Sequence, residues 1–497
     1  MKLTELMQLA AASPPADPSF ADPEIVGLSV DSRQIRPGFL FAAWRGAQRD
    51  GRRFAGEAVA RGAVAILTDD PAALDLDAAA RRRVAVLADP NPQRRLALAA
   101  ARFFDRQPAT IAAVTGTNGK TSVAHFTREL WGALGHRAAS LGTLGRVGPD
   151  GRRPGSLTTP DSVTLHRDLA ELAAGGVDHA VVEASSHGLD QCRLDGVAVS
   201  AAAFTNLTRD HLDYHGDMAA YRAAKQRLFV VLLPPGGAAV LNADSDEFAA
   251  LSTLCRGRGQ RLIAYGEADA AEMRVVRRDP RRGGQHLLLD LFGTRRELML
   301  PLVGAFQAMN ALAALGLAVA TGSPLEAGAS ALQQLTPVPG RLQFVGDANR
   351  AAVFVDYAHT PDALATVLRA LRPHAEGRLV VVFGAGGDRD RGKRPLMGRV
   401  VSELADRAYV TDDNPRSEDP TEIRRAILAA APGAIEIGDR RRAIGAALAD
   451  LRPGDVMVIA GKGHETGQIV GAETLPFDDA AVAGEAIAGL TAERGAA

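Results

Sequence analysis

The run Thr110-Ile111-Ala112-Ala113-Val114 leads straight into Thr115-Gly116-Thr117-Asn118-Gly119-Lys120-Thr121-Ser122. An uninterrupted apolar run suits a parallel strand buried on both faces, and a glycine-rich turn after such a strand opens a helix. Glycines let the backbone wrap closely around a phosphate, and the amide N–H groups at a helix start favour an anion. Lys120 would reach the β- and γ-phosphates, and the Thr121 hydroxyl would hold Mg²⁺. The spacing is a short GxxGK[ST] form, because Val114 stands where the longer GxxxxGK[ST] signature has its first glycine. A plain Gly-rich strand–helix turn is the competing reading, and the coincidence of strand, Lys and Thr weighs against it. The pattern predicts a nucleoside-triphosphate site at Gly116, Thr117, Asn118, Gly119, Lys120, Thr121 and Ser122. It does not reveal the acceptor.

A chain of 497 residues suggests about three domains. Two Pro-marked seams, Asp89-Pro90-Asn91-Pro92 and Thr336-Pro337-Val338-Pro339-Gly340, divide it into residues 1–92, 93–337 and 338–497. Strands are predicted at Val64 to Leu67, Val84 to Leu87, His179 to Glu183 and Ala201 to Thr205. In the last part they fall at Val353 to Asp356, Leu379 to Phe383, Ala408 to Thr411 and Val456 to Ala460. Alternation of such runs with amphipathic helices argues for an α/β fold with parallel sheets, whose ligands sit beyond the carboxyl ends of the strands. Residues 12–23, rich in Pro, Ala and Asp, read as a loop.

With 46% hydrophobic and 23% charged residues and a formal net charge of −1, no global field favours nucleic acid or anionic lipid. The runs Arg81-Arg82-Arg83 and Arg440-Arg441-Arg442 read as solvated helix faces. Two cysteines, Cys192 and Cys255, make neither a disulfide framework nor a zinc motif and fit a reducing compartment. The N-terminus carries an early acid and no long apolar core, so no signal peptide is expected. Stretches such as Ala311 to Ala320 are too short for a membrane span.

Three further segments narrow the acceptor. Val182-Glu183-Ala184-Ser185-Ser186-His187-Gly188 ends a predicted strand with an acid, hydroxyls and an imidazole. Thr205-Asn206-Leu207-Thr208-Arg209-Asp210-His211-Leu212-Asp213-Tyr214-His215-Gly216 and Tyr221-Arg222-Ala223-Ala224-Lys225 follow. Glu183 and His211 supply an oxygen and a nitrogen suited to Mg²⁺ near a γ-phosphate, a sparse set of the kind this ion tolerates. A lone histidine is more often structural; the run Asp210-His211-Leu212-Asp213 tips the reading toward the metal.

Together with the short phosphate loop, these segments resemble the Mur ligases over essentially the whole chain. The resemblance implies three α/β domains: an N-terminal uridine-nucleotide-binding domain, a central P-loop ATPase with a mainly parallel sheet, and a C-terminal Rossmann-like domain. It implies a cytoplasmic, monomeric enzyme with Mg²⁺ as cofactor and ATP as co-substrate. That enzyme would join meso-diaminopimelate to the D-Glu γ-carboxylate of UDP-N-acetylmuramoyl-L-Ala-D-Glu through an acyl phosphate, with domain closure around the substrates.

The resemblance also assigns residues. Lys120, Glu183, His211 and Lys225 would be catalytic, and Thr121, Glu183, His211 and a carbamylated Lys225 would hold metal. Otherwise Lys225 is a plain surface or phosphate-contacting lysine. Asn310, Arg341 and Asp356 would complete the ATP site; the family helix usually carries a second Asn where this chain has Gln307, and Asp356 also reads as a helix cap. Ser29, Ser32 and Arg33, in Ser29-Val30-Asp31-Ser32-Arg33, would meet the UDP part, with an ordinary Asx/Ser turn as competitor. Thr158, Thr159, Ser185, Gln191 and Arg193 would surround the lactoyl-dipeptide, Arg193 being equally suited to a structural ion pair. Arg389, Asp413, Asn414, Pro415, Arg416, Gly461 and Glu465 would form the diaminopimelate pocket.

Asp413-Asn414-Pro415-Arg416 resembles the diaminopimelate-selecting form. Arg389 and Arg416 would pair with the far carboxylate, and Glu465 with the far ammonium. Lysine lacks that carboxylate and would leave buried arginine unpaired. The rivals are a lysine-adding ligase, a folylpolyglutamate synthetase, which should lack the domain bearing Asp31-Ser32-Arg33, and a catalytically idle phosphate-loop scaffold, which should have lost Lys120, Glu183, His211 or Lys225.

Overall fold

The computed structural model of the chain describes residues 1–7, 22–46, 49–281 and 283–495. Of the predicted loop at 12–23, residues 12–21 lie outside the described residues. The chain forms two compact units, Met1–Ala271 with Ala313–Gly328, and Glu272–Leu312 with Ala329–Ala497.

The first unit contains two sheets. A four-stranded parallel sheet runs in the order Gly27–Ser29, Phe39–Ala43, Ala63–Thr68, Ala85–Ala88. Successive side chains point to opposite faces, and both faces are covered. Leu28, Leu40 and Leu67 pack with Leu96, Ala99 and Ala100 of the helix Pro92–Phe104. Phe41 and Ile66 pack with Ala55 and Ala58. The first Pro-marked seam is that helix's start: the Asn91 side chain accepts from the Arg94 N–H at 3.0 Å, and Pro92 takes the first turn, where no N–H is needed.

The second sheet of this unit is ordered Arg261–Gly266, Ala238–Asn242, Val199–Phe204, Thr110–Thr115, His179–Glu183, Ala138–Gly142, all parallel. Two short antiparallel strands, Gly145–Gly148 and Gly151–Arg153, extend it. Register decides the chemistry: Thr115 lies opposite Phe204, Val114 opposite Glu183, and Leu141 opposite Val182. The phosphate loop, Glu183, Gly142 and Thr205 therefore emerge side by side at one carboxyl edge.

In the second unit a six-stranded sheet is ordered Gln343–Ala348, Ala351–Asp356, Val456–Ala460, Leu379–Phe383, Arg407–Val410, Ile435–Glu436. Only its first pair is antiparallel. Phe354, Val381 and Val458 face one core and Val353, Val380 and Met457 the other, as a sheet covered on both sides requires. An antiparallel meander, Met273–Arg281, Gly284–Leu291 and Thr294–Leu300, and a hairpin, Gly467–Val470 with Glu473–Pro476, belong to the same unit.

The α/β class and the predicted strands are present, with ends within a few residues. The run Arg440-Arg441-Arg442 is not one solvated face. Arg81, Arg82, Arg83, Arg441 and Arg442 are exposed, but Arg440 is fully buried. Its guanidinium donates to both carboxylate oxygens of Asp479 at 2.7 Å and to the Ala460 carbonyl at 3.0 Å. A charge so desolvated persists only with this pairing. Both cysteines are buried and free. Among the described residues, no helix is long and apolar enough to cross a membrane.

Candidate active site

The helix Lys120–Ala133 begins directly beyond the glycine turn. Gly116 adopts φ +148, and a Cβ there would collide with the Thr205 hydroxyl and press on the Asn206 backbone, so the turn admits only glycine. Asn206 holds the loop from the neighbouring strand end: its side-chain oxygen accepts from the Asn118 N–H at 2.9 Å, and its backbone carbonyl accepts from the Thr117 N–H at 2.9 Å. The Thr205 hydroxyl donates to the Asn118 carbonyl at 2.6 Å.

Lys120 and Lys225 converge here. Lys120 Nζ donates to the carbonyls of Gly116 and Thr117, both at 2.9 Å. Lys225 Nζ donates to the same Gly116 carbonyl at 2.7 Å and lies 4.5 Å from the centre of the Tyr221 ring. Lys225 is buried, which excludes the plain surface-lysine reading. Burial, followed by the charge of Lys120, lowers its pKa to about 6. Tyr221 was missed in the sequence. Its hydroxyl hydrogen-bonds that of Thr117 at 3.1 Å, and burial pushes its pKa up to about 12.

Glu183 is buried beside the loop. Its carboxylate accepts from the Thr121 hydroxyl at 2.9 Å, the Thr143 N–H at 2.8 Å and the Thr143 hydroxyl at 3.2 Å. Burial raises its pKa, opposed by these bonds and by the charge of Lys120. Gly142 makes room for it, since a Cβ there would occupy the position of the Glu183 carboxylate. His211 is half-exposed, in a left-handed turn at φ 53. Its ring meets those of His187 at 4.8 Å and Tyr221 at 6.2 Å between centres, so it reaches the loop's surroundings through Tyr221.

The residues expected around the dipeptide form one network. The Thr159 hydroxyl donates to the Glu183 carbonyl at 2.6 Å and lies 2.9 Å from the Ser185 hydroxyl. Arg193 donates to the Thr159 carbonyl at 2.6 Å and to Gln191 Oε1 at 2.6 and 3.0 Å. Gln191 Nε2 in turn donates to the Tyr214 hydroxyl at 3.1 Å. Thr158 is 3.1 Å from the Thr143 hydroxyl. Arg193 thus has amide and carbonyl partners and no ion pair among the contacts described.

Ser29, Ser32 and Arg33 sit in a local turn. The Ser29 hydroxyl donates to the Asp31 carbonyl, Ser32 donates to Glu57 at 3.0 Å, and Arg33 pairs with Asp31 at 2.8 Å. The Asx turn named as a competitor is present, with Asp31 accepting from the Arg33 N–H.

In the second unit, Gln307 joins the expected set. Asn310 Nδ2 donates to Gln307 Oε1 at 3.0 Å, and Gln307 donates to the Arg341 carbonyl at 3.5 Å. Arg341 stacks 4.7 Å from the Tyr357 ring centre. Asp356 accepts from the N–H groups of Leu342 at 2.7 Å and Ala358 at 2.8 Å, and burial raises its pKa. It therefore ties the strand end to the preceding loop.

The three loops after Phe383, Val410 and Ala460 meet at one edge. Asn414 Oδ1 accepts from buried Lys462 at 2.8 Å and from the Ile469 N–H at 2.9 Å, while its Nδ2 donates to Glu465 at 3.0 Å. Arg416, at φ 53, donates to the Gly387 carbonyl at 2.8 Å, and Arg389 to the Asp388 carbonyl at 3.2 Å. Gly461 lies against Asp413, leaving no room for a Cβ beside that carboxylate. Pro415 and Gly387 pack backbone to backbone. Lys462 and Arg440 were missed; Arg440 reaches the Asp412 carbonyl at 3.4 Å and steadies two of these loops.

A phosphate loop at the carboxyl edge of a parallel sheet, with a buried acid and a buried lysine beside it, defines a P-loop α/β protein. The chain belongs to the Mur ligase family. Its residues 24–104 match the family's catalytic domain, 114–318 the Mur ligase middle domain, and 340–463 the glutamate ligase domain. It is 54% identical, over 99% of its length and 100% of the relative, to the UDP-N-acetylmuramoyl-L-alanyl-D-glutamate--2,6-diaminopimelate ligase of Bradyrhizobium diazoefficiens. The protein of the same name from Caulobacter vibrioides is 53% identical over 96% of this chain and 98% of that one. A solved structure of a UDP-N-acetylmuramoyl-L-alanyl-D-glutamate--2,6-diaminopimelate ligase is similar with a TM-score of 0.74 and 34% identity, over 99% of both chains.

Proposed function

We propose that this protein is a cytoplasmic, ATP-dependent ligase that adds meso-diaminopimelate to the D-Glu γ-carboxylate of UDP-N-acetylmuramoyl-L-Ala-D-Glu during peptidoglycan precursor synthesis. The observation that carries the reading is the pair of lysines sharing the Gly116 carbonyl beside Thr121 and the buried Glu183. Burial and the charge of Lys120 favour the neutral Lys225 amine, leaving Lys120 as the cation that meets an incoming triphosphate. The names of relatives near 50% identity support the acceptor and the amino acid. The three family-model matches support three successive domains as in the division at 1–92, 93–337 and 338–497, with the helix Pro92–Phe104 going with the first of them.

In the first step a γ-carboxylate oxygen attacks the γ-phosphorus, and ADP leaves. Lys120 and the loop amides of residues 116–122 offset charge on the transferring oxygens. In the second step the diaminopimelate amine attacks the acyl carbon, phosphate leaves, and the amine loses a proton. Thr158, Thr159, Ser185, Gln191 and Arg193 orient the dipeptide, and Ser29, Ser32 and Arg33 hold the uridine nucleotide. Asn310, Arg341 and Asp356 complete the ATP contacts. Arg389 and Arg416 bind the far carboxylate of diaminopimelate, and Asp413, Asn414, Pro415, Gly461 and Glu465 shape the rest of its pocket.

Mg²⁺ fits the donor set. Thr121 and Glu183 offer hard oxygens, and burial without a cation disfavours the charged form of Glu183. His211 and Lys225, the latter as its carbamate, complete the ligands in this reading. The carbamate forms when the Lys225 amine attacks CO₂ and releases a proton. When bound, the ion neutralises charge on the phosphoryl oxygens. The test is phosphate release by the purified protein with ATP, Mg²⁺ and the UDP-linked dipeptide. Release that requires both dipeptide and diaminopimelate supports the proposal; release with neither amino acid nor dipeptide dependence overturns it.

A further inference from the structure

At the amino edge of the same central sheet, away from the phosphate loop, two histidines and an aspartate gather. His136 follows the helix that starts at Lys120, and His179 begins the strand that ends at Glu183. Asp178 stands between them in the chain fold. One ligand atom from each of the three lies within 4.8 Å of the others. Among the described residues, no other trio of His, Cys, Asp and Glu side chains gathers this way.

The geometry has more in it than an ion pair. His179 Nδ1 is 2.8 Å from Asp178 Oδ1. His136 Nδ1 faces the other carboxylate oxygen at 3.9 Å, beyond hydrogen-bond length. The two imidazoles lie nearly one over the other, 3.9 Å between centres and tilted by 38°, so both present a nitrogen to one carboxylate. Two donors on a tetrahedral ion with bonds of about 2.0–2.1 Å stand roughly 3.3 Å apart, so only a small closing movement is needed.

The surroundings suit a cation. Trp131 packs edge-on against His179 at 4.9 Å, and its indole N–H donates to the Thr321 hydroxyl at 3.2 Å, which fixes the ring that orients His179. The helix Lys120–Ala133 ends three residues before His136, whose N–H donates to the Trp131 carbonyl at 2.9 Å, so the negative end of the helix dipole lies close by. His179 is 10% exposed, His136 35% and Asp178 48%, so the site has a buried floor and an open side for water as a further ligand. Arg137 is the nearby cation, and its guanidinium is turned to the Gly175 carbonyl at 3.1 Å.

We propose that His136, Asp178 and His179 form a site for one borderline divalent transition-metal ion, with zinc as its representative. Imidazole and carboxylate donors suit such an ion better than Mg²⁺ or Ca²⁺. The ion ties the far end of the helix bearing Lys120 and Thr121 to the start of the strand bearing Glu183. Roughly 13 Å of strand separates it from Glu183 at about 3.3 Å per residue, so it braces these elements without touching the chemistry.

The probe is Zn²⁺, titrated calorimetrically into the full-length, tag-free protein in excess Mg²⁺. His136→Gln and Asp178→Asn are compared with the unaltered chain. The unaltered protein should bind one more Zn²⁺ than either variant, or bind it at least roughly tenfold more tightly. Zinc should also raise its thermal midpoint and leave those of the variants unmoved, because a ligand that binds only the folded state stabilises it. Zinc-free midpoints matching that of the unaltered chain, measured for each variant, separate loss of the site from misfolding. Identical titrations for all three proteins, or no uptake by the unaltered one, overturn the proposal.

Discussion

Lys225 is the residue on which the proposed chemistry turns. Buried, it shares the Gly116 carbonyl with Lys120, so its amine is already desolvated and crowded by like charge. Lys225→Ala is expected to lower turnover by about 10² or more, the scale of losing a group that organises transition-state charge. Acetate or formate should restore part of it by standing in for the carbamate, and unchanged activity in the variant would sink the role. Arg416→Ala is expected to raise KM for diaminopimelate at least tenfold while KM for ATP stays put, measured by steady-state phosphate release. The gathering of Lys120, Glu183, Thr159 and Ser185 at one sheet edge was legible because their segments are ordered and chemically specific. Thr143, Tyr221 and Lys462 were not, since their roles come from partners distant in the chain. Thr143 reaches Glu183 across 40 positions, and Lys462 reaches Asn414 across 48.

Elements depend on a few contacts that periodicity does not reveal. The Arg440–Asp479 pair joins the helix Arg440–Asp450 to the helix Asp479–Gly495, with both side chains at 0% exposure. Arg440→Met leaves a buried carboxylate unpaired and should destabilise the protein by about 3–5 kcal/mol, whereas Arg440→Met with Asp479→Leu should recover much of that. Urea unfolding of the two variants measures the difference; equal losses would contradict the pairing argument. An Arg-Arg-Arg run reads as one solvated face, but a helix turns each residue by a quarter or more of its circumference, so one arginine faced the core. The buried strands were legible as apolar runs. The meander Met273–Leu300 was not, because only alternate residues such as Leu287, Leu289 and Leu291 are buried and arginines fill its outer faces.

Across the whole molecule, stability depends on pH through buried titratable groups. His166 is buried, with Nε2 2.9 Å from the Asp195 carbonyl, and burial lowers its pKa to about 4. The unfolded chain binds this proton near pH 6.5 and the folded one only near 4. Stability from this residue is therefore full above about pH 6.5 and falls as pH drops toward 4, by up to about 3 kcal/mol. His166→Gln, compared by urea unfolding at pH 7.5 and 4.5, should show a shallower pH dependence than the unaltered chain. The α/β class was legible from the alternation of strands and helices. The compact units were not, because Glu272–Leu312 groups with Ala329–Ala497 through contacts that no local composition marks. The proposed reaction joins diaminopimelate to a UDP-linked muramoyl dipeptide. Its most direct test is mass analysis of the nucleotide product formed with ATP, Mg²⁺, the dipeptide substrate and equal amounts of meso-diaminopimelate and L-lysine. The expected product carries one diaminopimelate residue, with roughly 10³-fold or greater preference over lysine. A product carrying lysine, or an unextended dipeptide, would contradict it.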